Sequence, residues 1–433
     1  MNVLRIPLLA AAAAGLAGCG GGADPRVESA APEPRASALA LAPERALPAA
    51  TPFSPPITIT QGGVYSGNWE STDPAVPAVR VLTTQPVTLI NSRIRAAGHG
   101  IWALAGGADV TVKFSYGWGL NPNVAGMAKN CFLDIGNFKA VRMENNRIEA
   151  FACGLRALNY EPDLMANASG QVVMVRFNQF RNIDGRLSNG QGGWQDSSSN
   201  YGHIVQLNEV PRAVARIEWN EAINLPGQSQ IEDGISTYQS GGTEAEPIVI
   251  ANNYVQGGYH GNPTVPFDYS GVMINLGDCP TPRPTCAHVH AYRNVVVSFS
   301  NGGMSIVGGH HMRLYDNRAV SARNAPGGAL IGGTWRTGFS YWNYYGSTYW
   351  ASNAMHGNYS LVVSRDGRVA GNHTPDATAA EVYDNPIDGT PGQLPTTTVD
   401  TRREGYEREL WAKRRKAAGV TVGPGGGTIT VQP

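Results

Sequence analysis

Lysine is nearly missing from this chain: five of 433 residues carry one (113, 129, 139, 413 and 416), and the other basic residues are arginine. Charge of either sign is sparse, at 15%, and balanced, with 33 basic against 33 acidic residues. That excludes a strongly basic nucleic-acid-binding surface, so no nucleic-acid partner is expected. Past the N-terminus, no apolar run reaches the ~18 residues that span a bilayer. Cysteines number only five. Glycine and proline, at 53 and 29, stay below the levels of collagen or wholesale disorder. What is present is 42% hydrophobic residues, enough for a sizeable core.

The first residues read as an address. Ile6 to Ala17 form a short apolar stretch, too short for a spanning helix, followed by Leu16-Ala17-Gly18-Cys19. This tetrapeptide resembles a bacterial lipobox. The resemblance implies a signal peptide over 1–19, acylation of Cys19, and a lipid membrane as partner. Gly20 after the cysteine resembles the outer-membrane type. Residues 20–56, rich in Gly, Ala and Pro, are expected to be a flexible tether. The remaining cysteines, Cys131, Cys153, Cys279 and Cys286, are even in number, which in an exported chain points to disulfides.

Two phrases repeat. The first sets alternating apolar positions before an Asn, as in Val141, Met143, Asn145-Asn146 and Ile148, or Val173, Val175, Phe177-Asn178 and Phe180. Copies centre on Asn220, Asn253, Asn294 and Asn317, with Ser92 and Ser115 in the same slot. The period of two predicts a strand, and the change of parity predicts a bend at the Asn, which tolerates left-handed backbone angles. The second phrase opens on Gly before alternating apolar residues, as at Gly100, Gly154, Gly202, Gly234, Gly271, Gly303 and Gly328, with Phe132 in the same slot of another copy. The shortest spacing, 23 residues, separates Ser92 from Ser115 and Asn294 from Asn317. Strand phrases on a fixed short period predict an all-β solenoid that buries its core by stacking coils.

The pattern resembles the right-handed parallel β-helix of the pectate-lyase-like superfamily over residues 57–390. Its most specific stretch holds Glu232-Asp233-Gly234-Ile235-Ser236, Tyr238, Asn252-Asn253, Gly277-Asp278 and Gly308-Gly309-His310. Residues 391–433 are expected to form a tail, with a charged, solvated helix over 401–418 ended by Gly419. The slot before the Gly places Cys131 and Cys153 on consecutive coils, and Cys279 and Cys286 should close the loop between them.

Spacing beyond the minimum repeat puts inserted loops on both sides of the Gly-phrase sheet, chiefly in the middle coils. Two rows of loops over one sheet make a groove, which suits a polymer. Alternation predicts Leu155, Ile235, Val272 and Met304 inward, with His203 in their column. It places Arg156, Ser236 and Met273 outward, and then Gln206, Tyr238 and Asn275, with Arg156, Gln206, Tyr238 and Asn275 as the sugar-binding positions. Asp278 and His310 fall in one column a coil apart, predicting a carboxylate-paired histidine base. Glu232 and Asp233 form a local carboxylate pair some ~25 Å away, on the other rim. Arg186, in the longest insertion, is a candidate lyase-type base. Gly98-His99-Gly100 is similar to an element of β-helix pectin hydrolases but lacks the acidic motifs that precede it there. His310-His311 shows no third ligand and no acidic cluster is visible, so no metal or other cofactor is expected from the residues; calcium enters only through the resemblance.

The function that follows is an envelope-anchored, polysaccharide-active protein that cleaves a glycan as lyase or glycoside hydrolase. The alternative is a non-catalytic glycan-binding or envelope-structural β-helix. Sparse lysine counts slightly against the lyase.

Overall fold

The computed structural model describes residues 52–159, 170–199, 202–260, 262, 272–333 and 336–425. Cys19 and tether residues 20–51 lie outside the described residues. From Ile57 onward the chain winds as a right-handed parallel β-helix, each coil crossing three long parallel sheets in turn. Sheet I runs from Ile57–Ile59 to Thr337–Tyr341, sheet II from Gly63–Tyr65 to Val382–Tyr383, and sheet III from Asn68–Ser71 to Tyr359–Val362. They hold ten, eleven and ten strands among the described residues, so coils are numbered 1 to 10 here by their sheet I strand.

The core is a set of columns. In sheet I, Leu133, Leu155, Val205, Ile235, Ile274, Met304 and Phe339 stack in register, all essentially inaccessible. Leu89, Val112, Met143, Val175, Ile217, Ile250, Ala291 and Leu314 form the matching column of sheet II. Every coil thus covers the apolar floor of its neighbour, and no single coil has a core of its own.

The Asn slot lies between sheets II and III, and its role differs from the expected one. The left-handed residues are those just before it: Asn91, Phe114, Asn145, Phe177, Trp219, Asn252, Arg293 and Asp316, each at φ near 55°. The slot residue itself is buried and bonds along the solenoid axis. Asn178 N and Nδ2 both donate to Asn220 Oδ1 at 3.0 Å, and Asn220 does the same to Asn253. The ladder continues through Asn294, Asn317 and Asn358 to Asn385, and back through Asn146 to Ser115 and Ser92.

The Gly slot also departs from expectation. Register places Gly100, Phe132, Gly154, Ile204, Gly234, Met273 and Gly303 in one column, so glycine alternates with a large residue. At this corner the Cβ aims along the axis: one added to Gly154 would lie 2.6 Å from the Ile204 carbonyl oxygen, and one at Gly234 2.4 Å from that of Met273. Gly202, the Gly at 271 and Gly328 are therefore not slot residues: the columns of coils 6 and 8 move by two, and the slot of coil 10 falls at Gly338. Met273 is buried in the core rather than outward, and His203 aligns with Cys153 and Asp233 rather than with Leu155.

Both disulfides form as expected, Cys131–Cys153 across coils at a Cα separation of 4.4 Å and Cys279–Cys286 around its loop at 6.6 Å. They fit an oxidising compartment. No helix among the described residues is long and apolar enough to cross a membrane.

The C-terminal helix Thr401–Ala417 is not a solvated tail. Asp400 caps it, accepting from Arg402 N and Arg403 N. Trp411 is buried against Ile223, Tyr254, Val295, Val297, Val320 and Leu361 on sheet III, and its indole donates to Asn252 O at 2.7 Å. Glu407 receives Arg318 and Arg403, and Arg408 reaches Glu221. The charge run thus serves as a set of docking pairs. Trp411→Ala should cost about 3–5 kcal/mol through the cavity and the orphaned carbonyl. Urea unfolding checks this; a loss under about 0.5 kcal/mol would mean the helix is only draped over the sheet.

Candidate functional site

The outer face of sheet I carries one polar row along the solenoid: Arg80, Trp102, Asp134, Arg156, Gln206, Ser236, Asn275, Ser305 and Ser340. The longer connections between its strands fall at the sheet III–I and sheet I–II corners. Arg156 and Gln206 stand outward as expected. Asn275 shares their column, whereas Tyr238 lies two positions on, beside Asn208.

In coils 4 and 5, Asp134 is buried and held in two hydrogen bonds by Arg156, with His99 Nδ1 3.4 Å away. Burial, outweighing the pull of Asp134, keeps His99 below its usual pKa.

In coils 7 and 8 the balance reverses, and three carboxyls feel one another's charge. Asp233 opens its sheet I strand at the corner, Glu232 precedes it, and Asp278 follows the left-handed turn at Gly277 (φ 72°). Asn275 Nδ2 donates to Asp233 Oδ2 at 3.0 Å, and Ser305 Oγ donates to Asn275 Oδ1 at 2.7 Å. Tyr345 OH donates to Asp278 Oδ1. Burial first, then the charges of Asp233 and Asp278, push the Glu232 pKa far above the carboxylate range. Burial and then Asp278 raise Asp233, against the opposing pull of the Asn275 amide. Asp278 is itself raised by burial, with the Tyr345 hydroxyl opposing. The three acids therefore act as one electrostatic group that holds protons near neutral pH.

His203 faces the same spot. Its Nδ1 lies 3.1 Å from the Asp233 carbonyl oxygen, so that nitrogen carries the hydrogen and Nε2 presents a lone pair 3.5 Å from Glu232 Oε2. Burial above all drives its pKa down to about 4. With His203 neutral and Glu232 protonated, their approach is a neutral contact rather than an ion pair. His203 Nε2, Asp233 Oδ1 and Ser236 Oγ are all buried and lack a hydrogen-bond partner among the described residues. Orphaned polar atoms gathered at one place mark a site rather than a scaffold.

Two expectations are overturned. Asp278 and His310 do not pair: it is Gly308 that lies against Gly277, and His310 turns to Pro284 O and His311. Nor are Glu232 and Asp233 electrically independent of Asp278: its backbone lies at the far end of the Asp233 strand, where Gln239 N donates to its carbonyl at 2.8 Å, yet its charge raises the pKa of both. Arg186 is engaged elsewhere. It binds Asp184 through Nε and Nη2 and Gly227 O through Nη1, beside Lys129 and beneath Trp194. Tyr345 has no place in either repeated phrase, and no strand register connects it to Asp278, so the repeat carries no signal for it.

The calcium implied by the resemblance does not fit the acids. Among the described residues they do not bring ligand oxygens within 4.8 Å of one another, the spacing a shared ion needs. A cleft of about 450 Å³ lined by Pro74, Ala75, residues 124–128 and Asn130 lies apart and carries no titratable side chain. A scan against protein-family models and searches of curated proteins and solved structures each returned no match.

Proposed function

We propose that this chain is a polysaccharide-active β-helix protein of pectate-lyase-like type, exported and held at the cell envelope, in the outer membrane, by acylated Cys19. In this reading it cleaves a glycan by hydrolysis across the outer face of sheet I. The observation that carries it is the shared electrostatics of Glu232, Asp233 and Asp278. Hydrolysis of a glycosidic bond asks for one protonated carboxyl to donate to the leaving oxygen and one ionised carboxylate to activate water or attack the sugar. Coupled acids that cannot all ionise supply both states at one pH. Glu232, whose pKa is raised to about 9, is the proton donor, and Asp278, which accepts from the Tyr345 hydroxyl, is the ionised partner. Asp233 is gripped by Asn275 and holds the set together. Trp102, Arg156, Gln206 and Tyr238 offer ring faces and donors along the row for flanking sugars.

A lyase is the weaker reading, because Arg186 and Arg156 are tied to Asp184 and Asp134. Purified protein on a panel of polysaccharides separates the readings. New reducing ends without new ultraviolet absorbance are expected. Absorbance from unsaturated ends would mean a lyase, and retention of a glycan without cleavage the non-catalytic alternative.

A further inference from the structure

Outside the groove, at the corner between sheets I and II, three imidazoles from two coils converge. His288 directly precedes the sheet II strand Val289–Tyr292, and His310 and His311 lie just before Arg313–Tyr315 in the next coil. Backbone bonds hold them side by side: His288 N donates to His310 O at 3.1 Å, and His310 N to Cys286 O at 3.1 Å. His288 and His311 both sit at φ 54°, a left-handed angle that turns both rings out of the coil and stacks them at 4.6 Å. The His310 ring stands across the stack, at 77° to His311 and 76° to His288.

We propose that His288, His310 and His311 form a binding site for one borderline divalent transition ion of the Zn²⁺ or Cu²⁺ class. One nitrogen from each ring lies within 4.8 Å of the others, and His310 Nδ1 and His311 Nδ1 are 2.8 Å apart. Nitrogens bound to one tetrahedral zinc at ~2.05 Å stand about 3.3 Å apart, so small ring rotations bring the set to coordination distance. The tautomer is already set. His310 Nε2 lies 2.9 Å from the Pro284 carbonyl, which can only accept, so Nε2 carries the hydrogen and Nδ1 presents its lone pair to the cluster. A carbonyl behind a ligating histidine is the arrangement that orients metal ligands. Pro284 belongs to the loop closed by Cys279–Cys286, so the disulfide holds both this carbonyl and the approach to His288. Glu244 and Arg313 both lie within electrostatic reach of His288 and His311, with opposite sign, and the Arg313 guanidinium is held by the Met312 and Ser352 carbonyls. An all-imidazole set favours Zn²⁺, Cu²⁺ or Ni²⁺ over Ca²⁺ or Mg²⁺. Three protein ligands leave a fourth position toward solvent. The ion would clamp coils 8 and 9 together, independently of whether the groove cleaves a glycan.

The test is calorimetric titration of the full chain, produced without a histidine tag and stripped with chelator, using ZnCl₂ and, separately, CaCl₂. One equivalent of Zn²⁺ at micromolar affinity or better is expected, with no heat from Ca²⁺. His288→Asn keeps a residue suited to a left-handed angle but removes the imidazole, and should weaken Zn²⁺ binding by about 100-fold or more. His310→Gln should do the same, whereas His356→Ala, on sheet II away from the cluster, should bind as the parent does. Circular dichroism confirms that each variant is folded. Absence of saturable Zn²⁺ binding by the parent, or parental affinity in folded His288→Asn, overturns the site.

Discussion

Glu232→Gln and Asp233→Asn are each expected to lower turnover on a cleaved glycan by about 10²–10⁴-fold and, at the same time, to raise thermal stability. The second half follows from the sign of the shifts. Burial and mutual charge raise both carboxyls above their unfolded values. Between the unfolded pKa, about 4, and the raised native value, the native state binds more protons than the unfolded chain. Stability therefore falls as pH rises through that window. An amide removes the penalty, so each variant should gain ~1–3 kcal/mol at pH 7–8 and nothing near pH 4. Calorimetric unfolding at both pH values, run beside the activity assay, checks the pair of outcomes. Loss of activity together with loss of stability at pH 8 would point to structural damage, and parental turnover would remove the acids from the chemistry.

The ladder should be as sensitive in the opposite direction. In Asn220→Ala, Asn178 N and Nδ2 lose their acceptor, Val175 O loses a donor at 2.8 Å, and Asn253 Oδ1 loses one of its two. All are buried, and unmet buried groups cost about 1–3 kcal/mol each, so a loss of ~3–6 kcal/mol is expected. Asn220→Ser should cost less. In coils 2 and 3 the serines already do part of the work: Ser115 Oγ donates to Lys113 O at 2.8 Å and accepts from Ser92 N at 3.1 Å. Denaturant unfolding measures both, and a loss under 1 kcal/mol for the alanine variant would mean the ladder follows the fold without holding it.

The ladder and the core columns were legible because each coil rewrites the same local problem in the same residues. Asn or Ser at the inner bend and alternating apolar residues on either side recur whatever the loops do. Cysteine pairing followed from that register. The Gly slot misled because the corner fits a small and a large side chain in alternation, Gly154 under Ile204 and Gly234 under Met273. Taking the nearby glycine for the slot in coils 6 and 8 displaces them by two residues, and with them His203 and Asn275. Contacts made across coils by irregular chain left no periodic trace. The charge of Asp278 felt at Glu232, Tyr345 reaching Asp278, and His288 meeting His310 and His311 all depend on loop paths. The C-terminal helix was hidden for another reason: apart from Trp411 it docks through Glu404, Glu407 and Arg408, and charges on a helix read as solvated.

If the three acids act as one group, the charge on Asp278 sets how tightly Glu232 and Asp233 hold their protons. The direct measurement is kcat/KM against pH for the parent and Asp278→Asn on a glycan the panel identifies, read on the variant's residual turnover, which loss of the ionised partner should lower by about 10²–10⁴-fold at every pH. The amide can still accept the Tyr345 hydroxyl, so the loop keeps its contact while the charge is gone. The parent should lose activity on the alkaline side as the donor ionises. In Asp278→Asn that limb should move to lower pH, because removing a like charge lowers the pKa of its neighbours. An alkaline limb at the same pH in both proteins would contradict the account.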